Sequence, residues 1–205
     1  MQNGFSPSGA QPNVTQAVNK SIHSSNLSLS SLVAKGSPAL GNTSAPSIIV
    51  EFGDFQCHFC ARFAKQTEPL LNLTYFQPGK VNLVFKHFVT HGADSFRAAL
   101  ASQCANDQEK FWNFYVILYN NQGEENSGWA GVENLKKFAA GIAGMNKQQF
   151  NSCLDSQKYK GLVENDTNFA IASGFQGTPT FIIQKSDGSD GEVLLGAYPI
   201  ISGND

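Results

Sequence analysis

Apolar and polar positions change their rhythm several times along the chain, and each change marks an element. Up to about Pro46 there is no rhythm. Ser, Asn, Gly and Pro dominate there, and Lys20 and Lys35 are the only charges. Such a segment buries too little surface to offset its ordering entropy, so 1–46 reads as a flexible arm or tether. Within it, Leu27 to Val33 alternates enough to add a strand or short helix at a domain edge. Ser47 to Phe52 is short, apolar and β-branched, as a buried strand requires. From Cys57 to about Tyr75, Phe59, Phe63, Leu70, Leu71 and Leu73 recur at helical spacing, with Pro69 as an expected kink. Gln77-Pro78-Gly79-Lys80 is a turn, and Val81 to Val89 alternates as a second strand.

A long helical stretch follows. Ala93 to Ala105 favours helix, and Asn106 with Glu109 predicts a capping box opening a second helix through Tyr119. Val132 to Ile142 is a third, Asn146 with Gln149 caps a fourth, and Gln157 to Ser173 is a fifth, closed by Gly174. The pattern returns to strand at Thr180 to Gln184, and a polar turn leads to Val193–Leu195, so the end reads as a hairpin. Strand, helix, strand, helices, hairpin is an α/β order. It predicts a thioredoxin fold with an inserted all-helical subdomain: a core over 47–92 and 175–205, and the insertion over 93–174.

The chain has 205 residues, long enough for one domain with a substantial insertion. Fourteen Lys and Arg against sixteen Asp and Glu give a net charge of −2, which argues against binding nucleic acid through phosphate contacts. The apolar run at Ser47–Phe52 falls far short of the ~18 residues that span a bilayer. No apolar stretch follows Met1 as in a signal peptide. The charged fraction is 15%, against a typical ~25%, and neutral polar residues make up the difference. That leans toward an exported protein. Asn13, Asn26, Asn42, Asn72 and Asn165 lie in sequons that export would make glycosylation acceptors.

The strongest chemical signal is Cys57-His58-Phe59-Cys60, placed where a strand hands over to a helix. Thiols at i and i+3 on a first helical turn can close a small disulfide ring. The first sulfur meets unpaired N–H groups and the positive end of the helix dipole, which together favour a thiolate. His58 beside it adds a potential positive charge. A stabilised thiolate is a good leaving group and makes the disulfide oxidising. Cys60, one turn further in, is the candidate resolving thiol. Half of a zinc site is the competing reading, but a ribbon wants two such pairs and only one is present. Glu51 lies inside the apolar strand, where a carboxyl is costly unless protonated or paired. A raised pKa there would let it exchange the proton of Cys60, and Lys86 on the next strand is its candidate partner, the alternative being that both point to solvent at strand ends. Thr178-Pro179 opens the hairpin, where a cis bond would suit a tight turn and the missing N–H leaves neighbouring backbone free for a substrate strand, an ordinary trans proline at a strand edge being the commoner alternative for this motif.

Ile49 through Cys60, Asp107 through Trp112 and Gly177-Thr178-Pro179-Thr180-Phe181 together resemble the DsbA-like thiol:disulfide oxidoreductases, over most of Gly36 to Gly196. The resemblance implies an extracytoplasmic enzyme with Cys57 as nucleophile, Cys60 as resolving thiol, Glu51 as buried acid, and Pro179 as cis-proline. Thr178 would meet the substrate backbone. Lys86 falls where relatives often carry a basic residue. The family commonly has Pro after the first Cys and His next. Here His58 and Phe59 stand there, and these positions tune the redox potential. The chain also ends soon after Pro199, so the usual closing helix is expected to be short or missing.

Cys104 and Cys153 both fall on expected helices. An even cysteine count suggests a structural disulfide between them, two buried free thiols being the alternative. His23, His87 and His91 lack metal-ligand spacing and read as structural or surface residues. Phe111 and Trp112 read as core, and Asp187, Asp190 and Glu192 as a polar turn.

The leading expectation is therefore an oxidase introducing disulfides into exported proteins, with no cofactor beyond its own redox disulfide and no metal. Its partners would be folding thiol-containing proteins and, by resemblance, a membrane reoxidase of the DsbB or vitamin-K-epoxide-reductase type. It is expected to be monomeric and extracytoplasmic, with the targeting or tethering segment outside this sequence. The alternatives are a disulfide reductase or isomerase, or a non-catalytic metal- or peptide-binding module on the same scaffold.

Overall fold

The computed structural model describes residues 32–33 and 37–197. Most of the Leu27–Val33 patch, the rest of the arm before it, and the stretch around Pro199 lie outside them. Five strands form one mixed sheet in the order β1-β3-β2-β4-β5. These are β1 (Ala39–Leu40), β2 (Ser47–Gly53), β3 (Val81–His87), β4 (Thr180–Lys185) and β5 (Glu192–Leu195). β2 and β3 run parallel, and the other pairs are antiparallel. Composition alone placed 37–46 in the arm. In the structure β1 pairs with β3 there and Ala45 is buried. A two-residue strand is too short to show alternation.

The parallel pair is joined by a continuous helical run over 58–76, here α1. It comprises His58–Arg62, Phe63–Thr67, Glu68–Leu71 and Asn72–Phe76, the second and fourth winding as π-type turns. Pro69 stands at the start of the short α segment Glu68–Leu71, directly after the first π-type turn, so the helical run changes its winding where the proline withholds an N–H. Between β3 and β4 lie α2 (Ala93–Asn106), α3 (Phe111–Asn120), α4 (Val132–Ala140), α5 (Lys147–Asp155) and α6 (Lys160–Ala172). The Asn106–Glu109 capping box does not form. Asn106 closes α2, Glu109 sits at φ 59° in the connecting turn, and α3 begins only at Phe111. The Asn146 cap does form, its side chain accepting from the Gln149 N–H at 3.0 Å. Gly174 ends α6 region at φ 74°, a backbone that favours glycine.

Alternation along β2 divides the interior. Ile48, Val50 and Phe52 face one way, into a cluster with Val84, Phe88, Ala170, Phe175 and Ile182. Phe52 stacks on Phe169 of α6 at 5.7 Å and meets Phe175 edge-on at 5.0 Å. Glu51 faces the other way, toward the larger cluster in which Cys57, Cys60 and Phe85 pack with α2, α3, α4 and α5. The helical subdomain therefore roofs the end of the sheet where α1 begins. Cys104 of α2 and Cys153 of α5 are joined by a disulfide with Cα atoms 5.8 Å apart, stapling that subdomain internally. No helix among the described residues is long and apolar enough to cross a membrane.

Candidate active site

The turn between β2 and α1 sets up the first sulfur. The Cys57 N–H donates to the Asp54 carbonyl at 3.1 Å, and Cys57 takes an extended backbone (φ −71°, ψ 120°) as the cap of α1. Its side chain is left at the rim, 4% exposed. Cys60, one turn on, is fully buried. Both are free thiols. On the other side the chain turns through a cis Thr178–Pro179 bond, and Cys57 Sγ lies 3.2 Å from the Thr178 carbonyl oxygen, donating to it.

The two sulfurs, three residues apart, sit in opposite environments. Cys57 is held down to a pKa of about 6. The largest cause is the Cys60 thiol donating to it; burial opposes, and the Thr178 side chain and the N–H groups of Cys60 and Phe59 add to the lowering. Cys60 is pushed well above an ordinary thiol by burial, by its donation to Cys57, and by the negative charges of Cys57 and Glu51. The Thr178 hydroxyl is buried with no hydrogen-bond partner among the described residues.

Beneath them Glu51 has no exposure at all. Its Oε2 accepts from the Tyr115 hydroxyl at 3.4 Å, while Oε1 has no partner among the described residues. Burial dominates and holds its proton on well above the usual carboxylate range; Glu68 and Cys57 push in the same direction. The pocket around it is aromatic. Tyr115 meets Tyr119 at 4.8 Å and Phe85 at 5.7 Å, and Phe55 stacks on Phe85 at 5.4 Å. A Cβ on Gly53 would come within 2.7 Å of the Phe85 ring, so only glycine lets that ring close over the carboxyl.

Lys86 is not the partner of Glu51. In the parallel register Glu51 is opposite Phe85, and Lys86 is opposite Phe52, so Lys86 points to the other face of the sheet. There its Nζ pairs with Asp166 of α6 at 2.5 Å, both side chains buried. Burial raises the Asp166 carboxyl in spite of that lysine. His58 is exposed and stands outside the groups that act most on Cys57. Phe59 is 56% exposed, with the Arg62 guanidinium over its ring at 5.1 Å.

Sequence reading missed a second acid. Asp54 is buried, and its Oδ1 accepts from the Gln56 N–H at 2.8 Å. Its Oδ2 gathers the Thr90 N–H at 2.7 Å, the His91 N–H at 3.1 Å and His91 Nδ1 at 3.0 Å. Burial works against its charge, but the bonds from His91, Ser95, Thr90 and Gln56 together lower its pKa, and Asp54 in turn raises that of His91. Gln56 extends the clamp, donating to the His91 carbonyl at 2.7 Å and to Ser95 Oγ at 3.0 Å, and accepting from the Asn126 N–H at 2.7 Å. Apart from the local Asp54–Gln56 bond, the partners lie 35 or more residues away in sequence, so no spacing announced them. The only hint was polar Asp54 and Gln56 interleaved with buried Phe55 before the cysteines.

Comparison with known proteins bears on the family and the fold. A family model described as Thioredoxin matches residues 33–190. Disulfide bond formation protein D of Bacillus subtilis is 30% identical over 151 residues, spanning 73% of this chain and 68% of that protein. The probable disulfide bond formation protein D of Bacillus anthracis is 32% identical over 148 residues, 71% of this chain and 68% of that one. Among solved structures, oxidised BdbD from Bacillus subtilis superposes with a TM-score of 0.68 at 28% identity, covering 77% of this chain and 88% of that one. The alpha-DsbA1 of Wolbachia pipientis shares the fold, with a TM-score of 0.71 at 24% identity over 82% of this chain and 87% of that one.

Proposed function

This chain belongs to the thioredoxin family, among its DsbA-like thiol:disulfide oxidoreductases, and we propose that within it the protein works as an oxidase of other proteins' thiols. The observation that carries this reading is the opposite treatment of the two sulfurs: Cys57 favoured as thiolate, Cys60 held as thiol. Favouring the thiolate stabilises the dithiol state over the disulfide, so the disulfide gives up its bond readily.

In the cycle, a substrate thiolate attacks Cys57 Sγ of the enzyme disulfide. The S–S bond breaks, Cys60 leaves with its electron pair, and a mixed disulfide forms between substrate and Cys57. Protonated Glu51 lies beneath Cys60 and supplies its proton. A second substrate thiolate then attacks the substrate sulfur of the mixed disulfide, releasing oxidised substrate and Cys57 as thiolate. The Thr178 carbonyl beside Cys57 and the absent N–H of Pro179 mark where the substrate backbone pairs. His58 and Phe59 face outward at the same rim, positioned to meet the substrate and tune the exchange.

The same reading places the protein outside the cytoplasm, acting on folding thiol proteins and reoxidised by a membrane partner of the DsbB or vitamin-K-epoxide-reductase type. The Cys104–Cys153 disulfide supports it, because such bonds persist in oxidising compartments. Equilibration of the Cys57–Cys60 pair with glutathione tests the direction. A potential near ~−120 mV fits an oxidase, and one near ~−270 mV makes the protein a reductase instead.

A further inference from the structure

Chemistry at Cys60 requires one proton to arrive or leave in every half-cycle, yet neither Cys60 nor Glu51 touches solvent. Glu51 can exchange its proton with Cys60 but must then restore its own state from somewhere. The structure offers a way out along α1. Cys60, Ala64 and Glu68 recur every fourth residue on the buried stripe of that run, so Glu68 lies two turns below Cys60 on the same face. Tyr115, whose hydroxyl reaches Glu51, packs edge-on against Tyr119. Tyr119 and Glu68 both line a cavity of about 310 Å³ with Ala64, Lys65, Pro69 and Asn120. Glu68 is 7% exposed there, the first carboxyl on this path that meets water.

We propose that Glu68 relays protons between the buried Glu51 carboxyl and solvent in this cavity, the two carboxyls acting in series behind Cys60. When Cys60 leaves as thiolate, Glu51 gives it a proton, Glu68 returns one to Glu51, and water at the cavity mouth reprotonates Glu68. The reverse sequence removes the proton when Cys60 must attack. Electrostatics agree. Burial alone raises the Glu68 carboxyl, less than that of Glu51, and the two carboxyls both act on the Tyr115 phenol. The other titratable or charged groups facing this file are Cys57 and Cys60 from α1, Tyr115 and Tyr119 from α3, Asp54 from the turn before α1, and Lys65 at the cavity rim.

The inference rests on Glu51 being the proton donor to Cys60, and the test separates the two. The full chain is loaded with a Cys57–glutathione mixed disulfide, and glutathione release by Cys60 is followed by stopped flow from pH 5 to 9. Glu68→Gln is expected to slow release about tenfold near pH 7, a part of the ~10²–10⁴ that a positioned acid or base contributes. The pH profile should shift upward while the Cys57 thiolate midpoint stays in place, and Glu68→Asp should restore most of the rate. Glu51→Gln should slow release at least as much, and adding Glu68→Gln to it should cost nothing further. A wild-type rate and profile in Glu68→Gln, with Glu51→Gln slow, would overturn the relay and leave the role of Glu51 standing. Normal release in Glu51→Gln would remove both.

Discussion

The largest single influence on Cys57 is the thiol of Cys60, so Cys60→Ala is the sharpest perturbation of the site. A hydrogen bond to a charged acceptor contributes about 1.5–3 kcal/mol, and one pKa unit corresponds to about 1.4 kcal/mol. Losing that donor should therefore raise the Cys57 midpoint from about 6 by about 1–2 units, to about 7–8. At pH 7 the thiolate fraction falls from about nine-tenths to between about a half and a tenth. Thiolate ultraviolet absorbance against pH, cross-checked by the pH dependence of alkylation at Cys57, measures both midpoints directly. The same depression appears in stability. Because the folded pKa lies below the unfolded one, the stabilisation of the dithiol form is complete only above the unfolded value of ~8.5 and is lost as pH falls through about 6. At pH 7, one unit above the folded midpoint, it amounts to about 1.4 kcal/mol. A Cys60→Ala midpoint still near that of the wild type would refute the reasoning, because the backbone N–H groups would then be holding the anion without the second sulfur.

Other perturbations follow from the same geometry. Glu51 keeps its proton when folded and loses it when unfolded, so stability should fall as pH rises above the unfolded value, by up to about 1.4 kcal/mol per unit; Glu51→Gln should flatten that slope in urea titrations and be the more stable protein at pH 8. Lys86→Met should cost about 3–5 kcal/mol by stranding buried Asp166, and Lys86→Met/Asp166→Leu should regain most of it, with the Cys57 midpoint unmoved in both. Asp54→Asn should bring the raised pKa of His91 back toward its ordinary value near ~6.5, read from the imidazole proton shifts, and loosen the turn that carries Cys57. The Cys104–Cys153 bond closes a loop of sequence separation 49, for which the chain-entropy model gives about 4 kcal/mol; replacing both by Ala should lower the unfolding midpoint accordingly and leave dithiol oxidation at Cys57 intact.

The order of elements was legible because it depends on local rhythm: period two in β2 and β3, helical spacing after Cys57, and turn residues before each strand. So were the Cys57–Cys60 pair and Thr178-Pro179, which lie close together in sequence at element boundaries. What escaped depended on which face of the sheet a residue took. Glu51 and Lys86 look like neighbours on adjacent strands, yet a register that pairs Glu51 with Phe85 puts the lysine on the opposite face. Asp54 reads as a loop residue until β3 brings Thr90 and His91 up to it. Glu68 reads as an ordinary acid beside Pro69 until the run over 58–76 turns it inward.

These placements give the helical subdomain a part in the chemistry. A sheet with α1 alone would leave the end of β2 open on the side of Glu51, and water there would hold its carboxyl near its ordinary pKa. It is α3 that closes this side, setting Tyr115 and Tyr119 against Glu51, while Phe55 and Phe85 fill the remaining space. The roof that dries Glu51 also buries Cys60, and a buried Cys60 remains a thiol able to donate to Cys57. The favoured thiolate of Cys57 and the enclosed thiol of Cys60 are thus one arrangement seen from two sides. Any substitution that lets water in beneath α3, such as Tyr115→Ala, should lower the Cys60 pKa and raise that of Cys57 together, and movement of one midpoint without the other would show that the roof and the rim are independent.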